Sequence, residues 1–168
     1  MELTDIMSAD EWKQLANEIY DKFGFNGTVY KIDNAILAKS DEWSNQLCPT
    51  IKSGEARIIC ASAQSRLSKT VQEKKESATS ECDAGLMKFL IPIFVENTFL
   101  GMVGGCGCVD EQSEVDAFYV SKMLEKKDVS DLTGTVRKIA RDTMFEAVEY
   151  VQNHINEALK NKYGQSHN

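Results

Sequence analysis

Among the residues of this 168-residue chain, its five cysteines could take part in the largest number of chemical roles. They are Cys48, Cys60, Cys82, Cys106 and Cys108. In a reducing compartment, cysteines are more often thiols, metal ligands or redox groups than partners in structural disulfides. An odd number of cysteines also disfavours a closed disulfide framework. Thiol, metal and redox chemistry are therefore the first hypotheses to weigh.

A cysteine metal site is one of these hypotheses. Zinc or another soft metal needs about four thiolate ligands, and we predict Cys48, Cys60, Cys82 and Cys106 as a set that could hold zinc or iron. The C-x2-C pairs typical of such sites do not occur in the sequence. The alternative is that buried cysteines simply fill small apolar spaces, and the spacing leaves both interpretations open.

Cys106 and Cys108 lie in the glycine-rich stretch Gly-Gly-Cys-Gly-Cys. If this stretch continues a strand, both thiols point to the same face, because side chains alternate with a period of two. The stretch does not match G-x-G-x-x-G and is not followed by Lys-Ser or Lys-Thr at a helix start. A phosphate-binding loop is therefore disfavoured.

Nucleophilic catalysis by a cysteine needs a histidine within hydrogen-bond reach of the thiol. The two histidines are His154, in the last predicted helix, and His167, in the terminal tail. Neither is well placed for such a pair. We therefore predict that the chain is not an enzyme.

Aromatic side chains could line a small-molecule cavity, because ligand pockets are largely apolar with a few polar anchors. We predict a ligand site formed by Cys48, Cys60, Cys82, Cys106, Trp43 and Phe94. Taken singly, each aromatic residue is also typical of an ordinary core. A pocket is thus a property that only the fold can supply.

Charge and hydropathy exclude two kinds of partner. The net charge is −7, and no basic face that would bind nucleic acid directly is visible. No run approaches the roughly 18 apolar residues of a membrane span, and the first residues lack the basic and apolar regions of a signal peptide. We predict a cytoplasmic domain that binds neither nucleic acid nor membrane.

The first elements that must position these residues are a helix and a hairpin. Ser8 and Glu11 form a capping box, after which apolar residues recur at helical spacing until Gly24. The segments 28–32 and 35–38 flank Asp33-Asn34, which predicts a β-hairpin. Residues 41–73 follow a helical pattern with interruptions at Pro49 and Gly54.

The second half predicts another hairpin and then helices. Residues 74–83 are polar and predict a surface loop, whereas the apolar runs 86–95 and 98–103 predict two strands joined at Glu96-Asn97. Helices are predicted over 114–124, 129–140 and 143–162. This order favours an α+β fold with an antiparallel sheet flanked by helices and an amphipathic helix at each end.

Several short stretches, in this order, carry a family resemblance. They are Leu47-Cys48-Pro49, Cys60, Cys82-Asp83-Ala84-Gly85-Leu86, Ile91-Pro92-Ile93 and Leu100-Gly101 with Gly104-Gly105. The pattern resembles the PocR sensory domain from about Ser8 to Val109. The resemblance implies a PAS/GAF-like fold that senses small hydrocarbon derivatives, such as short diols. We predict that the terminal helices signal ligand binding to a partner protein or a homodimer mate.

One departure from the family bears on the ligand. The family often continues its last strand as Gly-Gly-Gln, whereas this chain has Cys106 after Gly105, which favours thiol or metal chemistry. We therefore keep a cysteine-based metal or redox sensor as the alternative function. We divide the chain into a sensory domain at 1–125, a helical extension at 126–163 that packs on the domain or a dimer partner, and a disordered tail at 164–168.

Overall fold

A computed structural model describes residues 1–164. The tail predicted at 164–168 lies outside the described residues, apart from Gly164. The helices are α1 (Ala9–Phe23), α2 (Leu47–Lys52), α3 (Ile58–Lys74), α4 (Ala117–Leu124), α5 (Ser130–Thr133) and α6 (Arg141–Tyr163), with 3-10 turns at Leu3–Asp5 and Glu55–Arg57. The strands are β1 (Asn26–Lys31), β2 (Ile36–Lys39), β3 (Ala78–Glu81), β4 (Met87–Val95), β5 (Thr98–Asp110) and β6 (Arg137–Ile139).

The strands form one sheet in the order β2-β1-β5-β4-β3, in which every neighbouring pair is antiparallel. The short strand β6 pairs in parallel with the end of β5. Helices cover both faces of this sheet, which confirms the predicted α+β class. The two predicted hairpins are β1–β2 and β4–β5.

Helix α1 begins and ends where the sequence predicts. Ser8 and Glu11 make the reciprocal capping-box hydrogen bonds, and Gly24 ends the helix with a left-handed φ of 82°. The helix lies directly on β1, since a Cβ atom added at Gly27 would lie 2.1 Å from the Ala16 carbonyl oxygen. Glycine at this position lets the backbones of helix and strand touch.

One face of the sheet, which we call the packed face, is covered by α1 and α6. Fully buried side chains from the helices (Trp12, Leu15, Ile19, Ala147 and Val151) fill it together with Val29, Phe89, Ile91 and Val103 from the strands. Helix α6 therefore packs on the sheet of its own domain. The division of the chain at residue 125 stays a prediction.

The opposite face, which we call the cavity face, is covered by α2 and α3. Tyr30, Leu90 and Met102 of the sheet pack there against Leu67 and Val71 of α3. A second apolar cluster, around α2 and α4, closes one end of this face. The sheet therefore has a separate apolar core on each face, formed with α1 and α6 on the packed face and with α2, α3 and α4 on the cavity face.

The predicted surface loop at 74–83 is wrong in part, because residues 78–81 form β3. Its residues are mostly exposed and polar, so no alternation of apolar side chains reveals a strand. Pairing with residues 87–90 of β4 creates the strand. Such an edge strand depends on its neighbour more than on its own sequence.

Two predicted helices are also shorter than expected. Residues 41–46 are not helical, and Pro49 lies in the first turn of α2, where a missing N–H is tolerated. Of the helix predicted at 129–140, only Ser130–Thr133 forms. The residues after Gly134 instead pair as β6 with Cys108–Asp110 of β5, so sheet hydrogen bonds override the local helical pattern.

Candidate ligand-binding site

A cavity of about 170 Å³ lies between the cavity face of the sheet and helices α2 and α3. Its walls include Cys48, Cys60, Cys82 and Cys106. Each comes from a different element: α2, α3, the loop before β4, and β5. The fold therefore brings together four cysteines that are far apart in sequence, and all four are free thiols.

The other two residues of the predicted ligand site lie elsewhere. Trp43 lies in the loop before α2 and lines a neighbouring groove, with the Lys39 and Lys52 ammonium groups over its ring. Phe94 lies near the end of β4, where it packs against Phe99 at a centroid distance of 5.3 Å. Neither aromatic ring lines the cysteine cavity.

The fifth cysteine, Cys108, is separated from the cavity by a β-bulge. Cys106 pairs with Lys88 of β4, and Cys108 pairs with Met87. The two partners are adjacent on β4, whereas the two cysteines are separated by one residue on β5. The extra residue, Gly107, has a φ of 101°, which favours glycine. The bulge reverses the alternation of side chains beyond it.

Cys106 consequently faces the cavity, whereas Cys108 is fully buried in the packed face. The expectation that the two thiols share a face was wrong, although β5 does continue through both. Side chains alternate between the two faces of a strand only where its pairing with the neighbouring strand contains no inserted residue. Cys108 Sγ instead donates a hydrogen bond to the Gly24 carbonyl at 3.3 Å.

Asn45 connects the bulge to the start of α2. Its Nδ2 donates to the Gly107 carbonyl at 2.7 Å and to Cys48 Sγ at 3.3 Å, while its Oδ1 accepts from the Cys48 N–H at 2.7 Å. One buried amide thus caps the helix, binds the bulge and orients a cavity thiol. The position of Cys48 relative to β5 is fixed by these contacts.

Three of the cavity thiols, those of Cys48, Cys60 and Cys82, are protonated at neutral pH. Burial is the main cause, and together with the nearby Cys106 it raises the pKa of Cys48 to about 12. Burial likewise raises the pKa of Cys60 to about 11, against the lowering effect of Lys52, and raises the pKa of Cys82. These groups are therefore neutral thiols, not preformed nucleophiles.

The metal hypothesis receives no geometric support from the described part of the chain. Within residues 1–164, no three or more His, Cys, Asp or Glu side chains are arranged so that they could hold a metal ion. The four cavity cysteines surround a space instead of converging on one point. The set Cys48, Cys60, Cys82 and Cys106 stays a prediction as a metal site.

Two lysines that the sequence analysis missed also line the cavity. Lys52 lies one helical turn after Cys48 on α2, and Lys88 lies on β4 beside Cys106. Lys88 is only 6% exposed. The sequence does contain an indication of this position, because Lys88 is the single charged residue in the apolar run 86–95.

Both lysines are positively charged at neutral pH. Burial alone lowers the pKa of Lys88, but its neighbours Tyr30, Cys106 and Cys60, together with a hydrogen bond to Tyr30, raise it above its usual value overall. The pKa of Lys52 is raised in the same way against the effect of burial. The cavity therefore combines neutral thiols with two ammonium groups.

Both the β1–β2 turn and α3 contribute to the wall of the cavity. Gln64 Nε2 on α3 donates to Asn34 Oδ1 in this turn at 3.0 Å. The other end of the same amide, Gln64 Oε1, is buried and has no hydrogen-bond partner among the described residues. It leaves an unused acceptor at the cavity wall.

The family model for the sensory domain found in PocR matches residues 5–163. The chain belongs to the PocR sensory-domain family. The match extends beyond the stretch from Ser8 to Val109 that carried the resemblance, and it includes β6 and α6. A search of curated proteins found no match.

The sequence motif that resembles PocR forms part of the cavity wall. In the Cys-Asp-Ala-Gly-Leu stretch, the Cys82 N–H donates to the Leu86 carbonyl and the Gly85 N–H donates to the Cys82 carbonyl, with Gly85 at a φ of 87°. This tight turn places both Cys82 and Leu86 at the cavity. The PocR motif therefore builds the candidate site.

The helices of this PocR-family chain show no membrane span. Among residues 1–164, no helix combines the length and the apolar character needed to cross a bilayer. The cytoplasmic location stays a prediction.

Proposed function

We propose that this PocR-family chain senses a small molecule that binds in the cysteine-lined cavity. The observation that carries the proposal is the cavity itself, which is walled by the family motif and by residues of α2, α3, β1, β2, β4 and β5. An apolar cavity of about 150 Å³ is known to hold benzene. A volume of about 170 Å³ therefore suits a small hydrocarbon derivative of similar size.

A sensory role in place of catalysis agrees with the protonated thiols. A cysteine nucleophile needs a lowered pKa or an adjacent base, whereas the pKa values of Cys48, Cys60 and Cys82 are raised. His154 lies on α6, over the packed face and away from the cavity. The five free thiols also favour a reducing, cytoplasmic environment.

The signal would leave the domain through its terminal helices. Strand β4 presents Lys88 to the cavity and Phe89 to the packed face, where α1 and α6 lie. A ligand shifts those helices only if it binds two arrangements of them with different affinity. Phe145 on α6 is 51% exposed and offers a contact for a signalling partner or a homodimer mate.

Nuclear magnetic resonance of isotope-labelled protein tests the proposal. Propylene glycol, acetone and lactate serve as probes at millimolar concentration, and we expect at least one of them to shift resonances of cavity residues. Ala61 is exposed on α3 and lines the cavity, so Ala61→Phe should block the shifts. Ser65→Phe, one turn further and outside the cavity lining, is the matched control.

Two results would contradict the proposal. The first is that none of the probes, nor any other small compound in a wider panel, shifts a cavity resonance. The second is that Ala61→Phe binds as well as the wild type, which would place binding at another site.

A cysteine-based metal or redox sensor is the second candidate. The observation that favours it is the placement of four free thiols around one cavity. Elemental analysis of protein purified without chelator, together with a thiol count under native and denaturing conditions, tests it. Stoichiometric zinc or iron that is lost in Cys82→Ser would establish a metal site, whereas five titratable thiols without metal would exclude it.

A further inference from the structure

Lys88 is the most unusual residue of the cavity. It lies in the middle of the sheet with 6% of its surface exposed, so its ammonium group does not extend freely into solvent. No ion pair within residues 1–164 includes Lys88 or Lys52, and no described residue that lines the cavity is Asp or Glu. Both lysines therefore line the cavity without an acidic partner, and the Lys52 ammonium group also lies 5.3 Å from the centre of the Trp43 ring beside the cavity.

Burying an unpaired charge is costly, and natural proteins pair such charges or hydrogen-bond them. Tyr30 is the main neighbour of the Lys88 ammonium group, whose Nζ lies 5.6 Å from the ring centroid, and a hydrogen bond to Tyr30 helps to raise the pKa of Lys88. A leucine or methionine at this strand position would avoid the cost of burying a charge. An anion bound in the cavity would offset this cost.

Three of the four cavity cysteines do not supply a negative charge. Burial raises the pKa of Cys48, Cys60 and Cys82, which keeps these thiols neutral at physiological pH. An anion from outside the chain would supply the counter-charge. An anionic ligand would neutralise both ammonium groups, and its charge-assisted hydrogen bonds would be stronger than those of a neutral ligand.

The unused acceptor of Gln64 indicates a second feature of this ligand. Gln64 lines the same cavity, and its buried Oε1 atom has no donor among residues 1–164. A ligand hydroxyl would supply one. The cavity volume of about 170 Å³ limits the molecule to a few carbon atoms besides these two groups.

We propose that the cavity binds a short hydroxycarboxylic acid, with its carboxylate between Lys52 and Lys88 and its hydroxyl donating to Gln64 Oε1. The inference rests on the proposed sensory function and names the chemical class of its ligand. It also departs from the neutral diols implied by the family resemblance.

Lactate and propylene glycol test the inference, because they share a carbon skeleton and differ by a carboxylate in place of a hydroxymethyl group. Calorimetry on the full chain should show that lactate binds about tenfold or more tightly than propylene glycol. Propanoate, which lacks the hydroxyl, should bind roughly two- to tenfold more weakly than lactate.

Lysine variants locate the effect. Lys88→Met should weaken lactate binding about tenfold or more while leaving the binding of propylene glycol little changed, and Lys52→Met should act in the same direction. Lys69→Met is the control, because Lys69 is highly exposed on α3 and pairs only with Glu73. It removes the same charge and should not alter lactate binding.

The thermal midpoint separates a ligand-binding role from a structural one. Without ligand, Lys88→Met should raise Tm by about 2–4 °C, because a buried unpaired charge is removed. A fall in Tm would show that Lys88 stabilises the free fold, and it would contradict the inference.

The binding results also distinguish this inference from the proposed function. If propylene glycol or acetone binds at the cavity as tightly as lactate, the anion inference fails and the sensory proposal stands. If lactate does not bind, the inference again fails. The sensory proposal fails when no compound of the panel shifts cavity resonances or when Ala61→Phe binds as well as the wild type.

Discussion

The packed face and the cavity face share the same strands but differ in what they bury. On β4, Phe89 and Ile91 point to the packed face and are completed by α1 and α6. Lys88, between Met87 and Phe89, points to the cavity face, where α2 and α3 leave a space. The two faces thus place a close-packed core directly behind a polar cavity.

The difference between the two faces shows how the domain can fold stably although the core on its cavity face is incomplete. Burial of large apolar side chains on the packed face supplies most of the driving force for folding. The cavity face contributes less apolar burial to folding, because it retains a space and two charged lysines. A rigid sheet then holds the cavity residues in place, and the helices on both faces are joined through it.

The largest predicted effect concerns the packed face. Phe89 is fully buried and makes an edge-to-face contact with Phe25 at 5.4 Å. Phe89→Ala should lower the free energy of unfolding by about 3–5 kcal/mol, measured by urea denaturation. Cys106→Ala, close by on the opposite face, should cost well under half as much, and equal costs would contradict the contrast between the faces.

The bulge that separates the faces should give an intermediate effect. A Cβ atom at Gly107 would lie 2.4 Å from Asn26 Nδ2, and the φ of 101° strains any other residue. Gly107→Ala should therefore cost about 1–3 kcal/mol and increase the rate of thiol labelling at Cys108 as the bulge is disturbed.

Gly54 provides the matched control for this substitution. No atom lies within 4 Å of a Cβ added there, and its φ is −131°. Gly54→Ala should be neutral or slightly stabilising. A similar loss in both variants would show that the bulge has no special requirement for glycine.

The smallest effect is a pH dependence that arises on the cavity face. The pKa of Cys48 rises from its usual 9.0 to about 12 in the folded chain, so the unfolded chain ionises this thiol first. Its stabilising contribution is complete below the ordinary thiol pKa and is lost as the pH rises towards about 12. The urea midpoint should therefore fall from pH 8 to pH 10.

Cys48→Ala isolates this contribution, because every other titrating group is retained. The decline in the urea midpoint should be less steep in this variant than in the wild type. An identical decline in both proteins would assign the pH dependence to other groups.

Local patterns predict part of the structure well. The capping box at Ser8 and Glu11, the turn at Asp33-Asn34 and the apolar runs of β4 and β5 each identify their element, because helix caps, tight turns and buried strands depend on nearby residues. The family resemblance carried by the Cys82–Leu86 stretch also agrees with the family that the chain belongs to.

The misplaced elements are strands that pairing with a neighbour creates against their own sequence pattern. The polar strand β3 exists because β4, which follows it closely in the chain, pairs with it. Strand β6 forms against the end of the more distant strand β5, although its sequence follows a helical pattern. The residues of β3 and β6 do not by themselves show a strand, so the local pattern gave the wrong element.

The candidate site shows the same division. The sequence by itself determined the family, the fold class and the set of four cysteines that the fold gathers around one cavity. Only the tertiary structure decided that Gly107 turns Cys108 away and that Lys52 and Lys88 face the cavity without an acidic partner. Those features depend on one inserted residue in a ladder and on which side chains meet across the sheet, and these are long-range properties of the fold.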